Sequence, residues 1–312
     1  MRRKQSAIVF VVVSLLIISV MGKAQTAEEW LKKGDKCFDA GDYKKAIENY
    51  TKAIELNPKY AEAYYNRGVA YADMGRHNEA IADYTKAIEL NPKFAEAYYN
   101  RGIAYADMGH HNEAIADYTK AIKLNPKYVK AYNNQGNAYF YMGRYNEAIA
   151  DYTKAIELNP KFAEAYYNRG NAYGMKGLYN EAIADYTKAI ELNPNELNPK
   201  YAEAYNNRGI VYGMLGRYNE AITDHTKAIE LYPKYAEAYY NRGNAYGMMG
   251  LYNEAIADYT KAIELNPKVA EAYNNRGISY YRLGNIENAL TDLKKACDLG
   301  YKDACDHYDK IK

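Results

Sequence analysis

Seven asparagines, Asn66, Asn100, Asn134, Asn168, Asn207, Asn241 and Asn275, recur along the chain, and every gap between them but one is 34 residues. A carboxamide carries a donor and an acceptor together, so a row of them can pair with the backbone of an extended peptide without reading its sequence. Tyr65, Tyr99, Tyr167 and Tyr240 stand beside four of these asparagines and would add apolar area to such a site. A plainer reading stands next to this one, in which asparagine is repeat filler exposed to water. Other chemistry is thinly supplied. His77, His111 and His225 occupy positions where sister segments hold tyrosine, and no Ser, His and acid constellation, metal-ligand spacing or glycine-rich phosphate loop recurs. No catalytic residue is nominated, and no metal, cofactor or small-molecule substrate is expected.

The elements that must position these side chains follow from the same period. The 312 residues include 38 tyrosines and only 5 phenylalanines, a lopsidedness that points to copying. Pro58, Pro92, Pro126, Pro160 and Pro194 keep the 34-residue step, as do Pro199, Pro233 and Pro267. One copy, Ala61 to Phe94, reads as helix, turn, helix. Tyr64, Gly68 and Tyr71 share one helical stripe, and Gly75 can take the left-handed backbone that stops the helix. Asn78 offers a cap for a second helix with Ala80, Tyr84 and Ala87 inward, ending where Asn91 precedes Pro92. The opposite stripe of the first helix carries Glu62, Asn66, Val69 and Asp73, so the asparagines would line a wall. Neither helix can bury its face alone, and burial must come from stacking each hairpin on its neighbours.

At Tyr64, Gly68, Tyr71, Ala80, Tyr84, Ala87 and Pro92 the sequence resembles the tetratricopeptide repeat family. The resemblance covers residues 27 to 303 as eight units starting at Ala27, Ala61, Ala95, Val129, Ala163, Ala202, Ala236 and Ala270. It implies an all-α fold, a right-handed superhelical solenoid of antiparallel helix pairs whose concave groove binds peptide segments or partner helices. Some members clamp a terminal carboxylate with lysines on this wall, but Tyr65, Tyr99 and Asn133 stand at the corresponding positions, so that clamp is not expected. The position before the glycine, often leucine in the family, holds Arg67, Arg101, Arg169, Arg208, Arg242 and Arg276, with Lys33 and Gln135 as exceptions. Each arginine is followed 16 positions later by an aspartate, Asp83, Asp117, Asp185, Asp224, Asp258 and Asp292. Two readings are open: an Arg to Asp pair within each hairpin, worth about 0 to 1 kcal/mol if exposed, or an arginine stem lying over tyrosine rings.

The ends and the irregularities add detail. Thr26 and Glu29 form a capping box ahead of the first helix. The motif Glu-Leu-Asn-Pro occurs twice around Asn195 to Pro199, adding five residues that form either a hinge or a surface loop. Residues 303–311 read as a solvating helix that gives the last hairpin a wet outer face, which leaves 304–312 as the tail of the array. Three cysteines are too few for a disulfide scaffold, and Cys37 reads as a small buried hydrophobe. The segment around Cys297 and Cys305 resembles the cysteine-bearing end of Sel1-like repeats, which implies a disulfide between these two.

Arg2, Arg3 and Lys4, the apolar run from Ala7 to Met21, then Gly22 and Ala24 have the layout of a secretory signal. As a helix the apolar run would reach only roughly 22 Å, against about 30 Å of hydrocarbon, which favours cleavage after Ala24 over a permanent span. Residues 1–24 are thus expected to be a signal peptide, the alternative being an uncleaved signal anchor. Loss of Arg2, Arg3, Lys4 and Lys23 would turn the formal charge from +2 to −2. Acids and bases alternate within every unit, so no basic surface for nucleic acid is expected. Together these features describe a non-catalytic scaffold for protein or peptide partners, periplasmic or secreted. The alternative is a membrane-tethered scaffold facing outward, held to the membrane only by an uncleaved N-terminal segment; an enzyme is remote.

Overall fold

The computed structural model describes residues 25–192 and 199–312; the proposed leader and most of the duplicated motif lie outside these. The described residues form seventeen helices and no strand. In chain order they are α1 (Ala27–Asp39), α2 (Tyr43–Leu56), α3 (Ala61–Asp73), α4 (His77–Leu90), α5 (Ala95–Asp107), α6 (His111–Leu124), α7 (Val129–Tyr141), α8 (Tyr145–Leu158) and α9 (Ala163–Met175). They continue as α10 (Tyr179–Glu191), α11 (Pro199–Met214), α12 (Tyr218–Leu231), α13 (Ala236–Met248), α14 (Tyr252–Leu265), α15 (Ala270–Arg282), α16 (Ile286–Asp298) and α17 (Lys302–Ile311). Odd-numbered helices up to α15 open a hairpin and even-numbered ones close it. None of the described helices is long and apolar enough to cross a membrane.

Local sequence fixes these boundaries. Gly75 has φ +71°, and past it the Arg76 amide donates back to the Tyr71 carbonyl, closing the end of α3. Asn91 ends α4, its side chain accepting from the Lys93 amide as the chain turns through Pro92. Thr26 and Glu29 make the reciprocal capping box at α1. The expected cap at Asn78 is corrected: α4 begins at His77, and Arg76 stands at its N-cap with no side-chain cap bond. A side-chain cap of this kind is present where the residue at Arg76's position is Asp42 or Asn285, because a short polar side chain there can reach the free amides.

The described residues divide into two compact units, one ending at Asn134 and the other beginning at Gln135. Within each, the two helices of a hairpin pack together, and the second packs on the first helix of the next hairpin. First helices also touch one another, α1 with α3, α3 with α5, α9 with α11, α11 with α13 and α13 with α15, so they share a wall in each unit. The hairpin core is built on a close approach. A Cβ placed on Gly68 would lie 2.8 Å from the Tyr84 ring, and Tyr84, Ala80 and Ala87 are buried. Leu293 takes the same place in the last hairpin, 3.0 Å from where a Gly277 Cβ would be. At the end of the chain, Ala304 of α17 packs on Leu293 and Ala296, Asp303, Asp306 and Asp309 face water, and Cys297 is joined to Cys305 with Cα atoms 4.8 Å apart. Cys37 is half-buried, not fully buried, and accepts from the Asn49 amide at 3.5 Å.

Both readings of the arginines hold at once, and the expected exposure is corrected. Arg67 forks onto Asp83 through Nε at 2.7 Å and one Nη at 2.8 Å, and its guanidinium also lies 5.7 Å from the Tyr64 ring centre. The pair is largely buried, with side-chain exposures of 17% and 9%. A third arm, which the period alone did not reveal, donates to Thr51 of the preceding hairpin at 3.0 Å, while Thr51 donates to the Ile47 carbonyl. Each arginine therefore ties three helices together. The same fork and arm recur in all six arginine hairpins, including Arg208, which reaches Thr187 across the inserted segment at 2.8 Å. Burial works against each guanidinium, yet the aspartate's hydrogen bonds and charge outweigh it and hold the proton more firmly than usual.

A forked buried pair is fragile to losing one member, because the survivor is left charged and dry. Arg169→Met is expected to destabilise the chain by about 3 to 5 kcal/mol, and the apolar double variant Arg169→Met/Asp185→Leu by clearly less. Urea unfolding followed by circular dichroism checks the order; a double variant as unstable as the single one would remove the buried charge as the cause.

Candidate functional site

Along the wall of each unit, the first helices present one stripe toward the same side. In α11 this stripe runs Glu203, Asn207, Ile210 and Met214, residues spaced so that a helix of 3.6 residues per turn aligns them. The asparagine row lies in the middle of the stripe and is half-buried. Its amide donors point along the stack to the preceding hairpin. Asn66 donates to Asp35 at 3.0 Å, Asn168 to Asn137 at 3.0 Å, Asn100 to the Tyr65 hydroxyl at 2.8 Å and Asn134 to that of Tyr99 at 3.1 Å. Asn207 and Asn275 each donate twice, to Tyr167 and Asn171 and to Tyr240 and Asn244. Asn241 donates to Asn206 at 3.1 Å.

These bonds follow a local rule. Where the residue three places after the asparagine position, which Lys32 fills in the first hairpin, is a carboxylate or carboxamide, as at Asp35, Asn137, Asn171 and Asn244, it accepts from the next hairpin's asparagine and also from a tyrosine of its own hairpin. Where that residue is apolar, as at Val69 and Ile103, the tyrosine beside the asparagine becomes the acceptor. Tyr65 and Tyr99 are accordingly seated in the seam, their rings 4.6 Å from Phe94 and 4.7 Å from Tyr128. Burial raises the hydroxyls of Tyr65, Tyr167 and Tyr240 above the usual phenolic range. Within each unit the residues named for a peptide-binding row thus share one stripe of the wall, and they also stitch successive hairpins.

Three features were missed by a reading of the average repeat. Asn206 and His225 replace two tyrosines as a pair: Asn206 Oδ1 lies 3.1 Å from His225 Nδ1, and accepting there places the proton on that nitrogen. Burial, with the Arg242 charge adding, pushes His225 down to about 3, so it stays neutral. Secondly, exposed methionines Met175, Met214 and Met248 edge the wall of residues 135–312, where Asp39, Asp73 and Asp107 edge that of residues 25–134. Cavities of about 300 and 270 Å³ open beside these methionines. Thirdly, in the hairpin of α7 and α8 glutamine replaces the arginine at position 135. Asp151, at the aspartate position, has its Oδ2 buried without a hydrogen-bond partner, and burial alone raises its carboxyl to about 7.

Comparison with known proteins agrees with this geometry. Models described as TPR repeat match residues 34–75 and 136–177, and models described as tetratricopeptide repeat match 61–94, 95–128, 117–150, 161–234, 236–269 and 270–299. The chain belongs to the tetratricopeptide repeat family. Among solved structures it is similar to MamA, at 37% identity over 52% of this chain and 95% of that one with a TM-score of 0.50. It is similar to YrrB, described as a tetratricopeptide repeat protein with an unusual peptide-binding site, at 30% identity over 62% and 97% with a TM-score of 0.53. A tetratricopeptide repeat protein from Parabacteroides merdae shares the fold at 24% identity over 82% and 99%, with a TM-score of 0.60. A curated protein of Methanocaldococcus jannaschii is 50% identical over 40 residues, 13% of this chain and 46% of its own length, so the match spans under half of that relative.

Asp151 gives a pH test. Its folded value lies above the unfolded one near 3.8, so folding disfavours its ionised form: the cost is absent below pH 4, grows with rising pH and is complete above about 7. It is bounded by about 4 kcal/mol. His225 acts the other way, since the unfolded chain binds its proton below about 6.5. Subtraction isolates Asp151. Asp151→Asn is expected to be more stable than the parent at pH 8, the gain shrinking toward pH 5, with urea unfolding at both pH values as the readout; a gain independent of pH would assign it to packing alone.

Proposed function

We propose that this chain is a non-catalytic interaction scaffold that holds an extended peptide segment or a helix of a partner protein in the groove that the first helices form within a unit. The observation that carries it is the wall itself. It exposes carboxylates and methionines along its edges, with cavities between hairpins, and half-buried carboxamides between the edges whose donors are shared with the seams. YrrB, at 30% identity, is described as having an unusual peptide-binding site, which supports a peptide as the class of ligand. The candidate groove residues are Asn66, Asn100, Asn134, Asn168, Asn207, Asn241 and Asn275, with Tyr65, Tyr99, Tyr167 and Tyr240. Several asparagine rungs at about 0.5 to 1.5 kcal/mol each, set against association entropy, correspond to a grip of about micromolar strength.

The proposed setting is outside the cytoplasm. Residues 1–24 act as a cleaved signal in this reading, delivering the repeats to the periplasm or beyond; in the alternative they remain as an anchor for an envelope assembly. N-terminal sequencing of the protein from its native host separates the two, Gln25 as first residue marking the former. The C-terminal end closes in the manner of Sel1-like repeats through Cys297 and Cys305, which suits an oxidising compartment.

A peptide array probed with the full chain tests the groove. Asn134→Ala/Asn168→Ala/Asn207→Ala is expected to abolish array binding and, because each asparagine also stitches two hairpins, to lower stability by about 1 kcal/mol per site. Unchanged binding by this variant, with its circular dichroism spectrum intact, removes the asparagine row as the contact.

A further inference from the structure

The two edges of the wall in residues 135–312 differ in chemistry. Glu203, Glu237 and Glu271 stand exposed at the start of α11, α13 and α15, and Met175, Met214 and Met248 stand at the ends of α9, α11 and α13. The methionines are 60%, 61% and 67% exposed, well beyond what a core thioether shows. Beside each methionine the preceding residue is glycine, at 174, 213 and 247. A Cβ would fit at all three, since its nearest neighbour would be 3.8 Å away at Gly174, 3.5 Å at Gly247 and beyond 4 Å at Gly213. These glycines are thus not required by packing, and their missing side chains leave room. Gly174 lines one of the two cavities and Gly213 the other; both are also lined by Ile210 and Met214, the first with Phe140, Met175 and Val211 and the second with Met248 and Ala245.

Eleven residues separate Glu203 from Met214, which along a helix is about 16 Å. A bare extended strand is narrower than that. A helix about 10 to 12 Å across, carrying long basic side chains on one flank, spans it. Resting on the groove reading above, we infer that the wall of residues 135–312 receives an amphipathic cationic helix, its apolar flank on the methionine edge and its lysines or arginines on the glutamate edge. Adjacent hairpins lie about 8 to 10 Å apart, so apolar side chains seven residues apart on the ligand, about 10.5 Å along its axis, enter successive cavities. Thioethers suit this task because they repack around different apolar side chains. Opposite charge along the other edge sets the direction of docking and suppresses acidic partners.

Three labelled 18-residue peptides, titrated by fluorescence anisotropy against the full chain, test this: an amphipathic leucine and lysine helix, the same composition scrambled so that no apolar face forms, and an amphipathic leucine and glutamate helix. The first is expected to bind at least 10-fold more tightly than either other. Met175→Glu/Met214→Glu/Met248→Glu, which alters only exposed side chains, is expected to weaken it at least 10-fold with an unchanged circular dichroism spectrum. Glu203→Lys/Glu237→Lys/Glu271→Lys is expected to shift the preference to the glutamate helix. Equal binding of the first two peptides, or indifference to the methionine variant, overturns the inference. If array peptides without amphipathic character bind the groove while the lysine helix does not, the scaffold reading stands and this one falls; if neither class binds, both fall.

Discussion

The Cδ1 and Cε1 side of a tyrosine ring such as that of Tyr84 lies against a glycine of its own hairpin, closer than any side chain there would allow. That contact lets two helix backbones approach, but it leaves the outer faces of both helices uncovered, and a hairpin of this size cannot bury enough apolar surface by itself. The arginine fork completes the solution. It neutralises a buried aspartate within the hairpin and sends one arm to a threonine of the preceding hairpin, so that closing a hairpin and stacking it are the same event. The asparagine stitches do the same work on the other side of the first helix. Register is thereby held from two directions, which matters in a chain whose hairpins are so alike that a slip by one would bury nearly the same residues.

Much of this was legible in the residues. Gly75 and Pro92 set helix ends through backbone constraints that belong to the residue itself, and the starts of seven of the eight hairpins fall where the period places them. The start of α11 at Pro199 instead of Ala202 reflects the inserted motif, which carries its own proline into a first helical turn, where no amide is needed. The Arg67 and Asp83 pairing was visible as a constant spacing. Its threonine arm was not, since that partner belongs to another hairpin and periodicity within one unit says nothing about which face of a neighbour it meets. For the same reason the asparagines could be placed on the wall by helical phase, while the acceptors that occupy their donors could not.

Departures from the average repeat carry the most information, and they are the ones a consensus reading smooths away. Asn206 and His225 look like two unrelated losses of tyrosine until the structure brings them within hydrogen-bonding distance, the Asn206 carbonyl accepting from the imidazole while its Nδ2 stays buried without a partner. Gln135 is the opposite case: the arginine is gone and Asp151 keeps its place, so that hairpin retains a buried carboxyl whose Oδ2 has no partner. Leu293 is milder, exchanging a ring for a branched side chain of smaller reach over the same glycine.

The edge of the wall separates what the fold requires from what it permits. Asp73 and Met214 occupy the same position on the same kind of helix, both exposed, and neither contributes to a seam that the remaining residues do not already close. An aspartate there is ordinary for solubility, although it sits at a helix C-terminus where the backbone dipole disfavours negative charge. A methionine there removes that conflict but leaves apolar surface in water, which has no folding benefit. Three such methionines, each beside a glycine that packing does not demand, make the same exposed choice in neighbouring hairpins. Stability alone favours covering that surface, and the covering group must be apolar where it meets the thioethers and able to face carboxylates where it meets the opposite edge.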